Sequence, residues 1–191
     1  MPQNKPGMSL NHIKLHKSLD KNSKLSLSMQ TKYAQTMFYI IANGLVSASH
    51  YDKTIRQELQ GYPIGLTIKM QVLPNYASFV VQVTDQHILK VIQQEHADVT
   101  VYFKHLQLAM LVLSFQESTT QAFANDRMTV DGDIGYATRF VRILNQLQAL
   151  ILPKVIAERA IKRYPDLSLS AKLITASRIY LSLTKTLVTH H

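Results

Sequence analysis

The sequence predicts an α+β domain: an antiparallel sheet of about five strands, covered on one face by helices, with extra helices at the C-terminal end. Three observations carry this. Short apolar–polar alternations of period two recur between residues 66 and 131. Stretches with helical periodicity stand on both sides of them. The connections between alternations are only a few residues long, which favours antiparallel neighbours with one covered face.

The elements follow in order. Residues 1–28 are dominated by Pro, Asn, Ser and Lys, with Leu10, Ile13, Leu15 and Leu19 scattered among them, and read as a flexible basic segment. From Gln30 the apolar residues Tyr33, Met37, Ile40 and Ile41 recur at three- and four-residue steps, the mark of a helix. A short second helix from Asp52 carries Ile55 and Leu59 and stops at Gly61 and Pro63. Leu66, Ile68, Met70 and Val72 then alternate with polar residues as a half-buried strand. Pro74-Asn75 makes a turn, and Phe79, Val81 and Val83 form a second strand. Further strands are expected over Ile88–Ile92 and, with Val99, Val101 and Phe103 inward, after Asp98.

The chain then returns to helix. Leu106, Leu108, Met110, Leu111, Leu113 and Phe115 are too densely apolar for a surface helix. A short helix over Ser118–Ala124 ends at Asn125-Asp126, and Arg127–Asp131 has room for one strand. Asp133 is placed to cap a helix reaching about Leu150, with Tyr136, Phe140, Ile143, Leu144 and Leu147 on one face. Pro153 opens a further helix that is basic on one side and apolar on the other (Val155, Ile156, Ile161). A final apolar segment runs from Ser168 to Val188.

Composition narrows the function. The charged fraction is 17% and the apolar fraction 46%, so the apolar surfaces are large for a domain of this size. There is no cysteine, which excludes disulfides, thiolate catalysis and Cys-type zinc sites. The net charge of +9 is concentrated at the ends. Residues 1–32 hold six lysines against one Asp, net +5, and residues 151–191 hold seven Lys/Arg against two acids, again net +5. The middle, 33–150, holds eight Lys/Arg against nine acids and is close to neutral. Basic ends suit an anionic membrane surface, with solvated tails as the plainer reading. No helix-turn-helix, RNP-like strand or zinc module supports nucleic acid.

The first 32 residues lack the apolar core of a signal peptide. Tyr33–Tyr51 is free of Asp, Glu, Lys and Arg, yet its Gln35, Thr36, Asn43, Ser47 and Ser49 argue for a buried helix over a membrane span. A cytoplasmic protein, peripheral on the inner face of the membrane, is expected.

Catalytic patterns are scarce. There is no G-x-S-x-G elbow, phosphate-binding glycine loop or H-E-x-x-H. His12 with His16, and His87 with His96 and His105, read as surface or core histidines. Asp126, Asp131 and Asp133 lack calcium-loop spacing, and Asp131-Gly132-Asp133 reads as a strand exit, turn and helix cap. A protein that is not an enzyme, with no cofactor and no metal, is expected.

One stretch is distinctive. Ala97-Asp98-Val99-Thr100-Val101 leads into the apolar helix, followed by Gln121-Ala122-Phe123 and Arg127-Met128-Thr129-Val130-Asp131-Gly132-Asp133. This block resembles the sterol carrier protein 2 family, whose mark is "AF…GRL.V.GD" after an "AD…" strand. The resemblance spans roughly Gln30–Leu150 and is greatest to short bacterial accessory proteins of ubiquinone biosynthesis. Asn125-Asp126 stands where many relatives have Gly, and Met128 replaces Leu. Both are mild departures, since Asn and Asp tolerate turns and Met is an apolar residue of similar size.

The resemblance implies a lipid-binding domain over 29–152, between the N-terminal segment (1–28) and a C-terminal helical extension (153–191). It implies a cavity holding a quinone precursor, fatty acyl chain or phospholipid. Such a cavity needs an apolar sheet face and helices laid across it. Phe79, Val81, Val101 and Phe103 are the expected floor. Met110, Leu113, Phe115, Phe123, Phe140, Ile143, Leu144 and Leu147 are the expected walls and lid. Lys154, Arg159, Lys162 and Arg163 are the expected membrane-docking residues, and proteins of ubiquinone biosynthesis are expected partners. The alternative is a scaffold subunit using its apolar C-terminal helices to bind a partner protein.

Overall fold

A computed structural model describes residues 27–151 of the chain. The expected N-terminal segment, apart from its last two residues, and the expected extension over 153–191 lie outside the described residues, as do Lys154, Arg159, Lys162 and Arg163.

Helix α1 (Leu27–Tyr51) buries Gln30, Ala34, Phe38, Ala42, Leu45 and Ala48 at three- and four-residue steps. Of its polar residues, Gln35 and Thr36 face outward, whereas Gln30, Ser47 and Ser49 are buried, and Ser49 Oγ accepts from Leu89 N at 3.1 Å, tying the helix to β3. Among the described residues no helix is long and apolar enough to cross a membrane. Asp52 ends α1 and starts α2 (Lys53–Leu59), its Oδ1 accepting from Ile55 N at 2.8 Å.

The sheet contains β1 (Thr67–Val72), β2 (Ala77–Val83), β3 (Leu89–Ile92), β4 (Val99–Phe103) and β5 (Met128–Asp131). Its spatial order is β3-β2-β1-β4-β5. Residues from neighbouring strands line up in rows on the covered face: Ile68 with Val81 and Val99, Met70 with Phe79 and Val101, Val72 with Ala77 and Phe103. The five expected strands are present. Three pairings are antiparallel, but the central β1–β4 pair is parallel. Period-two burial is the same for either direction. The difference arises because the short segment after β3 does not fold back on it. It carries the chain across to the far side of β1.

Asp98 locks that crossing. Its Oδ2 accepts from Thr67 N at 2.8 Å and Thr67 Oγ1 at 2.7 Å, while Asp98 N donates back to Thr67 Oγ1 at 3.0 Å. These bonds from Thr67 hold the Asp98 carboxyl below the usual carboxylate range.

Helices α3 (Leu106–Leu113), α4 (Thr119–Ala124) and α5 (Ile134–Ile151) complete the covering layer. Ser118 and Gln121 form a reciprocal capping box on α4. Asp133 Oδ1 accepts from Tyr136 N at 3.0 Å and starts α5, as the sequence predicts. Gly132 makes the preceding turn with φ +98°. Ion pairs from Arg139 and Arg142 to Glu58, at 3.2 and 2.9 Å, tie α5 to α2. The core lies between the sheet and α1, α3 and α5, around Phe38, Phe103 and Phe140.

Candidate functional site

A narrow apolar slot opens between the sheet and the helices that cover it. Met37 and Ile41 of α1 form one side and Met70 of β1 the floor. Val112 and Leu113 close it from α3, with Phe115 of the following turn beside them. Leu144, Leu147 and Ile151 of α5 form the opposite side, and Thr119 and Gln148 complete it. Nine of these eleven side chains are apolar and none is charged.

Several local features set these walls. Tyr33 Oη donates to the Leu113 carbonyl at 3.1 Å, fastening the end of α3 to α1; burial pushes the Tyr33 hydroxyl pKa up. Phe115 sits at φ +59°, a region that costs a bulky residue of the order of 1–3 kcal/mol, and the turn holds its half-buried ring against the slot. Beyond it, Glu117 is buried, pairs with Arg127 and accepts from Asn125 Nδ2 at 2.9 Å. That buried pair anchors the loop.

The slot is small. Its volume is about 20 Å³, close to one water, and well below the ~150 Å³ of an engineered apolar cavity that admits benzene. The sequence implies a roomy interior; in this conformation the side chains fill nearly all of it. Of the expected cavity residues, Leu113, Phe115, Leu144 and Leu147 meet at the slot. Val81, Val101, Phe103, Phe140 and Ile143 are fully buried in the core and line neither the slot nor the groove described next. Met110 is buried on α3, and Phe123 packs half-buried against the core.

Phe79 lines a second, wider space. This is an open groove of about 520 Å³ between α1 and the β2–β3 edge, where Gln35, Tyr39, Asn43, Ser78 and Gln93 alternate with apolar side chains. Phe38 forms its base, edge-on to Phe79 with ring centroids 5.5 Å apart.

Sequence reasoning missed Met37, Ile41, Met70, Val112, Thr119, Gln148 and Ile151 as slot residues. The apolar ones carried only a burial signal. Thr119 and Gln148 carried none, because a polar residue on a helix reads as surface.

The expected histidine and aspartate roles resolve separately. His87 Nδ1 lies 3.3 Å from the Leu59 carbonyl, Asp126 pairs with Lys104 at 2.8 Å, and Asp133 caps α5. Among the described residues no group of three or more His, Asp or Glu side chains is arranged to hold a metal ion.

The sequence profile of the SCP-2 sterol transfer family matches residues 43–145, more than half the chain. The chain belongs to that family. The SCP-2 match takes in all five strands, the C-terminal third of α1 and most of α5. No curated protein matches the chain. Among solved structures it is similar to the UbiJ-SCP2 ubiquinone synthesis protein, at 18% identity over 63% of this chain and 96% of that one, TM-score 0.39. It is similar to sterol carrier protein 2 of Yarrowia lipolytica in its apo form, at 13% identity over 58% and 88%, TM-score 0.40. It is also similar to palmitated SCP2L2 of Aedes aegypti, at 13% identity over 55% and 91%, TM-score 0.38.

Proposed function

We propose that the protein is a non-catalytic carrier that binds one elongated hydrophobic molecule in the α1–β1–α3–α5 slot and presents it to other proteins. The supporting observation is the wall itself: nine apolar side chains from α1, β1, α3 with its following turn, and α5, two of them methionines, around a space that these side chains do not fill. Met side chains re-pack at low cost, so Met37 and Met70 can move aside to widen the slot while the buried hydrogen bond from Gln146 Nε2 to Asp52 Oδ2, at 3.3 Å, holds α5 to the end of α1. Each methylene buried contributes about 0.8 kcal/mol, so a chain of ten gives roughly 8 kcal/mol towards opening and ordering. Leu113, Phe115, Leu144 and Leu147 contact the ligand first. As the slot widens, Phe79, Val81, Val101 and Phe103 below it and Met110, Phe123, Phe140 and Ile143 beside it come into reach.

Family membership supports a lipid cargo. The resemblance of the Ala97–Leu147 block to accessory proteins of ubiquinone biosynthesis makes a quinone precursor the first candidate, ahead of fatty acyl chains and phospholipids. The basic ends, each net +5, fit transient attachment to an anionic membrane from the cytoplasmic side, with Lys154, Arg159, Lys162 and Arg163 as the docking residues.

Native mass spectrometry of the full chain purified from cells tests this. One lipid adduct per chain, exchangeable for a fluorescent long-chain alcohol, is expected. An empty chain that takes up no such alcohol contradicts the carrier role.

A further inference from the structure

We infer that Thr119 and Gln148 form a head-group subsite that selects an uncharged lipid carrying a hydroxyl, an alcohol or a phenol, over carboxylate and phosphate lipids. The inference rests on the slot being the lipid site and adds which lipids it takes.

Among the described residues, Thr119 and Gln148 are the only polar side chains of the slot wall. Thr119 is 1% exposed. Gln148 Nε2 lies 3.5 Å from Thr119 Oγ1, at the outer limit of a hydrogen bond, and Gln148 Oε1 is buried with no partner. One turn earlier on α5, Asn145 repeats the arrangement: its Nδ2 donates to Thr120 Oγ1 at 2.6 Å, and its Oδ1 is buried without a partner. The paired contacts clasp α5 to α4 and fix where the Gln148 amide lies.

A buried amide oxygen with no donor is costly, and a ligand that supplies one recovers that cost. Turning the amide over exchanges its donor and acceptor ends. A hydroxyl both donates and accepts, so it completes the amide in either orientation. A carboxylate or phosphate meets the opposite situation. Among the described residues no charged side chain lines the slot, and Arg127 is engaged by Glu117. An anion there would lose its hydration and gain no counter-charge.

The test uses three probes with one shared tail, para-hexylphenol, hexylbenzene and para-hexylbenzoate, titrated calorimetrically into the full chain at neutral pH. The phenol is expected to bind about ten-fold more tightly than hexylbenzene, the value of one good hydrogen bond, and the benzoate no more tightly than hexylbenzene. In Gln148→Leu the phenol-to-hexylbenzene ratio is expected to fall to about two-fold. Benzoate binding tightest, or an undiminished ratio in Gln148→Leu, overturns the inference while leaving the slot as a lipid site. Failure of hexylbenzene to bind the unaltered chain overturns the slot reading itself. Should Gln148→Leu not fold, Thr119→Val is read by the same ratio.

Discussion

Gly44 of α1 lies against Leu147 of α5: a Cβ built on Gly44 would stand 3.4 Å from Leu147 Cδ1. This contact sets the spacing of the two helices that flank the slot. At 3.4 Å a methyl group makes ordinary van der Waals contact, so Gly44→Ala fits. Alanine also removes the helix-interior penalty of glycine, about 0.5–1 kcal/mol. We expect Gly44→Ala to raise Tm by about 1–4 °C in calorimetry. Gly44→Leu is expected to drive Leu147 into the slot, cost about 1–3 kcal/mol through overpacking, and abolish uptake of an alkyl probe.

Gly132 answers to a harder constraint. Its φ is +98°, and a Cβ there would run into the backbone carbonyl of Asp98. Backbone cannot yield as a side-chain end can. Gly132→Ala is expected to cost at least about 2 kcal/mol by urea unfolding, because both the β5–α5 turn and the Asp98–Thr67 clip must shift.

Glu58 gives the structure a pH signature. Hydrogen bonds from Arg142, with the charges of Arg142 and Arg139, hold its carboxyl below the usual range against the opposing effect of burial. A depressed native-state pKa adds stability that is present above the unfolded-state value and lost as pH falls through the native one. Glu58→Gln should therefore lower stability at neutral pH by about 1 kcal/mol or less, the pair being partly solvated. The two proteins should converge below about pH 4. A gap in Tm that persists in acid would contradict this origin.

These contacts mark what the sequence made legible. Ile68, Met70 and Val72 announced a strand because alternation survives in any sheet, and Asp131-Gly132-Asp133 announced its turn because few residues accept that backbone. Strand direction was hidden. Val99–Phe103 reads identically whether it returns along β3 or crosses to β1, and the contacts that hold the crossing, the Asp98–Thr67 bonds and the donation from Lys69 Nζ to the Glu95 carbonyl, are long-range pairings that no local pattern shows. The site divides in the same way. Leu113, Phe115, Leu144 and Leu147 stood out as apolar residues near the family block, yet so did Phe103 and Phe140, which are buried away from the slot in this conformation. Apolar character predicts burial; it does not say beside which buried residue space is left over. That depends on how α1 and α5 approach, and so on a glycine whose role no local pattern discloses.

We expect a lipid tail to enter between Met37, Met70 and Leu147. Methyl-labelled methionine NMR on the full chain with an alkyl alcohol probe measures this directly. We predict intermolecular NOEs from the probe's chain to the Met37 and Met70 methyl groups. Binding with NOEs confined to the Tyr39–Phe79 groove, or no binding at all, would contradict it.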